Sequence, residues 1–174
     1  KSINFNKEML TSNGYKIIQK NSSLEYYNTR FVKLGHPWKC MGVTHEYWDG
    51  ALTDTLTKDI IYIDDIGDGG AKNDKFERDI RLLTQGLIDE PMNVRYVFYL
   101  AQTLKDTGKF KDAIKMYKKR ISMGGWYEEV WYSHYMICKC WLFLNNEEKF
   151  ETWMNKAYKY RRERAEPIYD LTKY

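Results

Sequence analysis

Metal ligation and proton transfer need an imidazole or carboxylate held close to a second polar group. His45-Glu46 is the place in this chain where a metal-capable imidazole stands beside a carboxylate after a buried-looking strand. Read alone, the pair is a weak signal, and a satisfied strand-end histidine accounts for it better. Trp38 and Trp48 flank it, with rings that suit either stacking on a sugar or base face or packing in a core. Lys72, Lys75 and Arg78 fall where a Gly-rich loop enters a helix, a place whose free backbone N–H groups favour anions. The alternative for these three cations is a solvated helix start.

Other chemistry is excluded by spacing or charge. Asp64 and Asp68-Gly69 imitate a calcium loop, but its third position is Ile66 and its twelfth is Lys75. Two required oxygen ligands are missing, so an EF-hand is ruled out. Cys138-Lys139-Cys140 is a poor metal motif, because residues two apart on a helix point to different faces, and buried inert thiols are expected. Three cysteines make an odd set (Cys40 is the third), which argues against a disulfide framework and fits a reducing, cytoplasmic setting. A net charge of +4 spread among 24 acidic residues is no nucleic-acid footprint. The basic run at Arg161, Arg162 and Arg164 complements a helix end. His36 and His134 have no partner pattern, and no apolar run approaches a membrane span.

Two halves carry different periods, which predicts an α+β chain. Residues 1–70 read as strands and loops: β-rich runs at 15–19 and 26–32 separated by Asn21-Ser22-Ser23, then an apolar run at 60–63. The Gly-rich stretch from Asp64 to Asn73 reads as a loop joining the halves. From Asp74 the period is helical. Asp74 with Glu77 resembles a capping box, and Phe76, Ile80, Leu83 and Leu87 follow at helical spacing until Pro91. Further helices are expected at 93–106, 109–122, 127–144 and 147–162, with Pro167 opening a sixth.

Within 93–125, Leu100, Ala101 and Leu104 precede the turn glycine Gly108, and Phe110, Ala113 and Tyr117 follow it. This large–small–large packing resembles the tetratricopeptide repeat, so residues 71–174 are expected to form an all-α array of that type. Arg120 departs from the pattern where a small residue is usual. The following pair aligns less well: Phe150 and Ala157 echo Phe110 and Tyr117 at a spacing of 40, and Trp153 replaces the small crossing residue. A repeat groove is expected to bind a protein partner through Arg95, Phe98, Gln102 and Lys105. A plain helical bundle has the same periodicity.

Three segments carry a second resemblance: Tyr26–Arg30, Trp38–Tyr47 and Ile63–Leu83, followed in order by Arg95–Gln102 and Gly124–Trp131. Together they resemble family 2 glycosyltransferases that carry tetratricopeptide repeats behind a GT-A catalytic domain. The resemblance implies that residues 1–70 are the acceptor-side end of such a domain, the edge of a GT-A-type sheet. It implies an inverting sugar transfer from a nucleotide sugar to a glycan or protein acceptor, with Glu46 as an active-site carboxylate and His45 at a metal or diphosphate. Arg30, Trp38, Trp48, Lys72, Lys75 and Arg78 would contact substrate, and Mn or Mg would assist the full-length enzyme. Residues 1–25 supply no Asp-x-Asp motif or Gly-rich nucleotide site, so this stretch alone is expected to be inactive. Self-association through residues 1–70 is expected from the unpaired sheet edge. The alternative is a non-catalytic tetratricopeptide module that binds protein partners.

Overall fold

A computed structural model describes residues 5–66 and 74–173. Its internal contacts divide the chain into two units, Lys1–Lys72 and Asn73–Tyr174. In the first, β1 (Gly14–Asn21) and β2 (Leu24–Val32) form an antiparallel hairpin closed by Ser22-Ser23. Ser22 takes a left-handed φ of 53°, which a tight two-residue loop demands. The short strands β3 (Lys39–Met41) and β4 (Tyr47–Asp49) make a separate two-stranded ribbon. β5 (Asp54–Thr55) and β6 (Tyr62–Asp64) run parallel to β1.

The core of this unit gathers Tyr15, Ile17 and Leu56 against Phe31, Ile61 and Ile63. The strand expected at 60–63 begins two residues later, because the amides of Ile60 and Ile61 turn back to the Thr57 carbonyl at 3.1 and 3.2 Å. It is partly exposed rather than buried. Most of the Gly-rich junction, Lys72 included, lies outside the described residues.

The second unit has six helices among the described residues: α1 (Lys75–Asp89), α2 (Val94–Asp106), α3 (Phe110–Met123), α4 (Tyr127–Phe143), α5 (Glu147–Tyr160) and α6 (Glu166–Leu171). Each packs on its neighbours in sequence, the pattern of a helical array. The capping box at Asp74 does not form. Asp74 has ψ 2° and no side-chain cap bond, since that backbone turns its carboxylate away from the first-turn amides. The working caps are Asn93, which accepts from the Tyr96 amide at 3.1 Å, and Asn146, which accepts from the Lys149 amide at 3.0 Å.

The turns fix the register of the array. After α2 the amide of Lys109 donates to the Leu104 carbonyl at 2.8 Å and that of Gly108 to Lys105 at 3.0 Å, with Gly108 left-handed at φ 76°. After α4 the same pair of bonds recurs, Asn146 to Trp141 at 3.0 Å and Asn145 to Leu142 at 2.9 Å, with Asn145 at φ 54°. Asn145 is therefore the counterpart of Gly108, at 37 residues rather than 40. The buried triads agree: Asp79, Leu83 and Gly86 in α1; Ala113, Tyr117 and Arg120 in α3; Phe150, Met154 and Ala157 in α5. Phe150 thus matches Ala113 and not Phe110, and Trp153 stands beside the crossing rather than in it. Arg120 occupies the place held by Gly86 and Ala157.

Two buried polar groups carry predictions. The Tyr117 hydroxyl is enclosed without a hydrogen-bond partner, and burial pushes its pKa upward. Tyr117→Phe should therefore raise stability by about 1 kcal/mol in urea unfolding, since it removes an unpaired donor at nearly constant shape. His134 lies between α4 and α5, its ring 5.6 Å from Trp153 and 5.4 Å from Tyr160, with Nδ1 unpartnered. Burial, then the nearby Lys156 charge, lowers its pKa from 6.5 to about 4.

The native state therefore binds this proton less readily than the unfolded chain. Stability associated with His134 is complete above pH 6.5 and falls as pH drops from there to about 4. After allowance for partial exposure, the loss is about 1–2 kcal/mol. His134→Phe should flatten this part of the pH–stability curve while Glu128, whose pKa is lowered by Arg161 and Arg164, still contributes an acid limb below it.

Candidate functional site

A concavity lies in the helical unit, on the side formed by α2, α4 and the start of α6. It is a cavity of about 450 Å³ walled by Phe98, Tyr99, Trp126, Trp131, Tyr132 and Tyr135, with Gln102, three glutamates and Arg164 completing it. Alternate helices supply this surface because each repeat places its first helix on one side of the array. Trp131 is buried and stacks on Tyr135 at 5.5 Å, while Phe98 meets Tyr132 edge-on at 6.0 Å. Trp126, at the N-cap of α4, remains 62% exposed on the rim.

The carboxylates are held in place by arginines. Glu129 accepts from Nε of the fully buried Arg120 at 3.0 Å, and Arg120 also donates to the Gly124 carbonyl. Glu128 pairs with Arg161 and, at 2.6 Å, with Arg164. Arg164 lies over the Trp131 ring at 4.7 Å. An aromatic cavity with fixed charges can anchor a flexible segment through one or two side chains.

Of the four groove residues expected from sequence, Phe98 and Gln102 line this cavity. Arg95 instead places its guanidinium 4.7 Å over Tyr99, and Lys105 pairs with Asp106 at 2.9 Å. The α4 aromatics and Arg164 were not legible as groove residues. Helix α4 is apolar nearly all round, so its sequence does not mark which face opens outward. Cys138 and Cys140 are both buried on it, and burial raises their pKa to about 12, so neither is a thiolate.

The first unit holds a smaller cavity of about 290 Å³, lined by Asn28, Thr29, Arg30, Cys40, Glu46, Tyr47 and Trp48. Arg30, Glu46 and Trp48 are thus brought together. Arg30 donates to Gln19 at 2.5 Å, and Cys40 is exposed. His45 is exposed in the loop between β3 and β4 at φ 51°, not at the end of a buried strand, and is not in the cavity lining.

Trp38 has a packing role: a Cβ at Gly14 would meet its ring at 2.8 Å, and one at Gly50 would meet it at 3.1 Å. Lys75 is exposed at the start of α1, and Arg78 pairs with Asp79 at 3.3 Å. Among the described residues no three His, Cys, Asp or Glu side chains cluster as metal ligands. Among the described residues no helix is long and apolar enough to cross a membrane.

No protein-family profile and no curated protein matches the chain. Solved structures do. The N-terminal domain of stress-induced protein-1 (STI-1) from C. elegans is similar at 15% identity and a TM-score of 0.54, over 63% of this chain and 88% of that one. A crystal structure of MamA is similar at 25% identity and a TM-score of 0.50, over 64% of this chain. The match spans 63% of the MamA chain. Both contain tetratricopeptide repeats, and the helical unit of this chain has a fold of that type.

Proposed function

We propose that the helical unit is a protein-interaction module that holds a peptide segment of a partner in the groove between α2 and α4. The observation that carries this reading is the cavity of about 450 Å³ with six aromatic walls opening on one side of the array. Large rigid rings bury much area at little entropic cost, which makes them the usual anchors of binding energy. Selection of a displayed peptide library against the chain tests it. Binders should weaken at least about tenfold with Trp126→Ala, a loss in the range of interface hot spots. The melting temperature should stay unchanged, since Trp126 is a rim residue. Failure to select any binder, or equal binding by Trp126→Ala and Tyr132→Ala, contradicts the reading.

A second reading, that the first unit belongs to the acceptor side of a glycosyltransferase, is favoured by one observation, the grouping of Arg30, Glu46 and Trp48 about one cavity. An aromatic plate beside a guanidinium and a carboxylate suits a sugar ring and its hydroxyls. Glu46 is exposed, so Glu46→Gln should leave folding intact. Loss of an active-site carboxylate should lower sugar turnover in the full-length enzyme, by about 10²–10⁴-fold where that carboxylate is the general base. Unchanged turnover, or no turnover with any nucleotide sugar, removes this reading.

A further inference from the structure

We infer that the seat filled by Arg164 is a guanidinium subsite of the groove, and that an arginine of the partner segment takes it by displacing Arg164. The inference rests on the peptide-binding reading of the groove. Arg164 belongs to the link between α5 and α6, so no helix fixes its backbone. Its guanidinium lies over Trp131 at 4.7 Å, with Nη2 on Glu128 at 2.6 Å and Nη1 reaching Glu166 at 3.4 Å. An indole face with two carboxylates at its edge matches a planar, forked cation and suits the compact lysine ammonium less well.

The chain's own arginine fits this seat imperfectly. Its Nε is buried without a hydrogen-bond partner, and the contact to Glu166 is longer than a good charge-assisted bond. Leaving a buried donor unpaired is costly, which makes Arg164 a replaceable occupant.

The charges also call for one cation. Glu128, Glu129 and Glu166 line the cavity; Arg120 pairs from behind with Glu129, while Arg161 is shared between Glu128 and Glu163. With Arg164 withdrawn, Glu128 and Glu166 lose a cation that an incoming guanidinium restores. Gln102 and the rings of Phe98 and Tyr132 extend the surface beyond this seat, so residues flanking the arginine have walls to lie on.

The test needs no natural partner. Arg164→Gln empties the seat, and N-acetyl-arginine methylamide serves as the probe, followed by the indole N–H resonance of Trp131. The expected result is a saturable shift that requires at least tenfold more probe in the unmodified chain. The citrulline analogue, which has the same shape without the charge, should give no saturable shift, and the lysine analogue should bind more weakly. Glu166→Gln added to Arg164→Gln should weaken the response. Arg164→Ala, which also leaves the Trp131 face free, replaces the variant if Arg164→Gln melts early. Equal responses to arginine and citrulline, or none to arginine, overturn the inference. Because this probe works without a selected peptide, failure here is distinct from failure of the groove to bind any peptide.

Discussion

Arg120→Ala should destabilise the helical unit by about 3–5 kcal/mol, the cost of breaking a buried ion pair from one side. The side chain is fully buried, and Glu129, whose side chain is only 12% exposed, would be left without its cation. The Gly124 carbonyl would lose its donor as well, loosening the Gly124-Gly125 turn that joins α3 to α4. The pair itself need not be a net gain, because Arg120 Nη2 is enclosed with no partner. Arg120→Met combined with Glu129→Gln should therefore recover most of the loss, since it removes both charges and keeps volume. Urea unfolding of the two variants reads this directly. A loss below about 1 kcal/mol for Arg120→Ala would contradict the buried-pair account.

Ala113→Trp should cost about 3 kcal/mol, at the upper end of overpacking penalties. Ala113 has no exposed surface on α3, a helix that packs against both α2 and α4. Nothing in that layer can yield cheaply, since Val97, Ala101 and Tyr117 are also fully buried. The matching position in α5 already holds a large ring, Phe150, so the spacing of the last pair has been set by its own residues. A thermal melt of Ala113→Trp that matches the unmodified chain would show the register to be wrong.

The helix boundaries were legible because punctuation and periodicity agreed there. Pro91, Gly108 and Gly124-Gly125 stop helices for stereochemical reasons, and the apolar spacing between them is helical. The period of the second repeat was misread for a physical reason. Phe110 and Phe150 match by residue type, whereas the turn is matched by Asn145 standing in the left-handed conformation in place of glycine. The small residue that would have betrayed the register is replaced by Arg120 in the repeat between Gly86 and Ala157.

The short strands β3, β4 and β5 are exposed and two or three residues long, so no alternation marks them. The pairing of Arg30 with Glu46 and Trp48 about one cavity follows from chain folding that local sequence does not reveal. The groove had the same difficulty. Phe98 and Gln102, expected from sequence at a groove, do line the cavity, but Trp126, Trp131 and Arg164 join them only once α4 and the α5–α6 link are in place.

The six tryptophans allow the central claim to be tested in one titration, because they sample three surroundings. Trp126 and Trp131 line the groove, Trp141 and Trp153 lie elsewhere in the array, and Trp38 and Trp48 belong to the first unit. Their indole N–H resonances should be followed as a library-selected peptide is added to the isotope-labelled chain. Binding in the groove predicts saturable shifts at Trp126 and Trp131 with the other four unmoved. Saturable shifts confined to Trp38 and Trp48, or to Trp141 and Trp153, would contradict it.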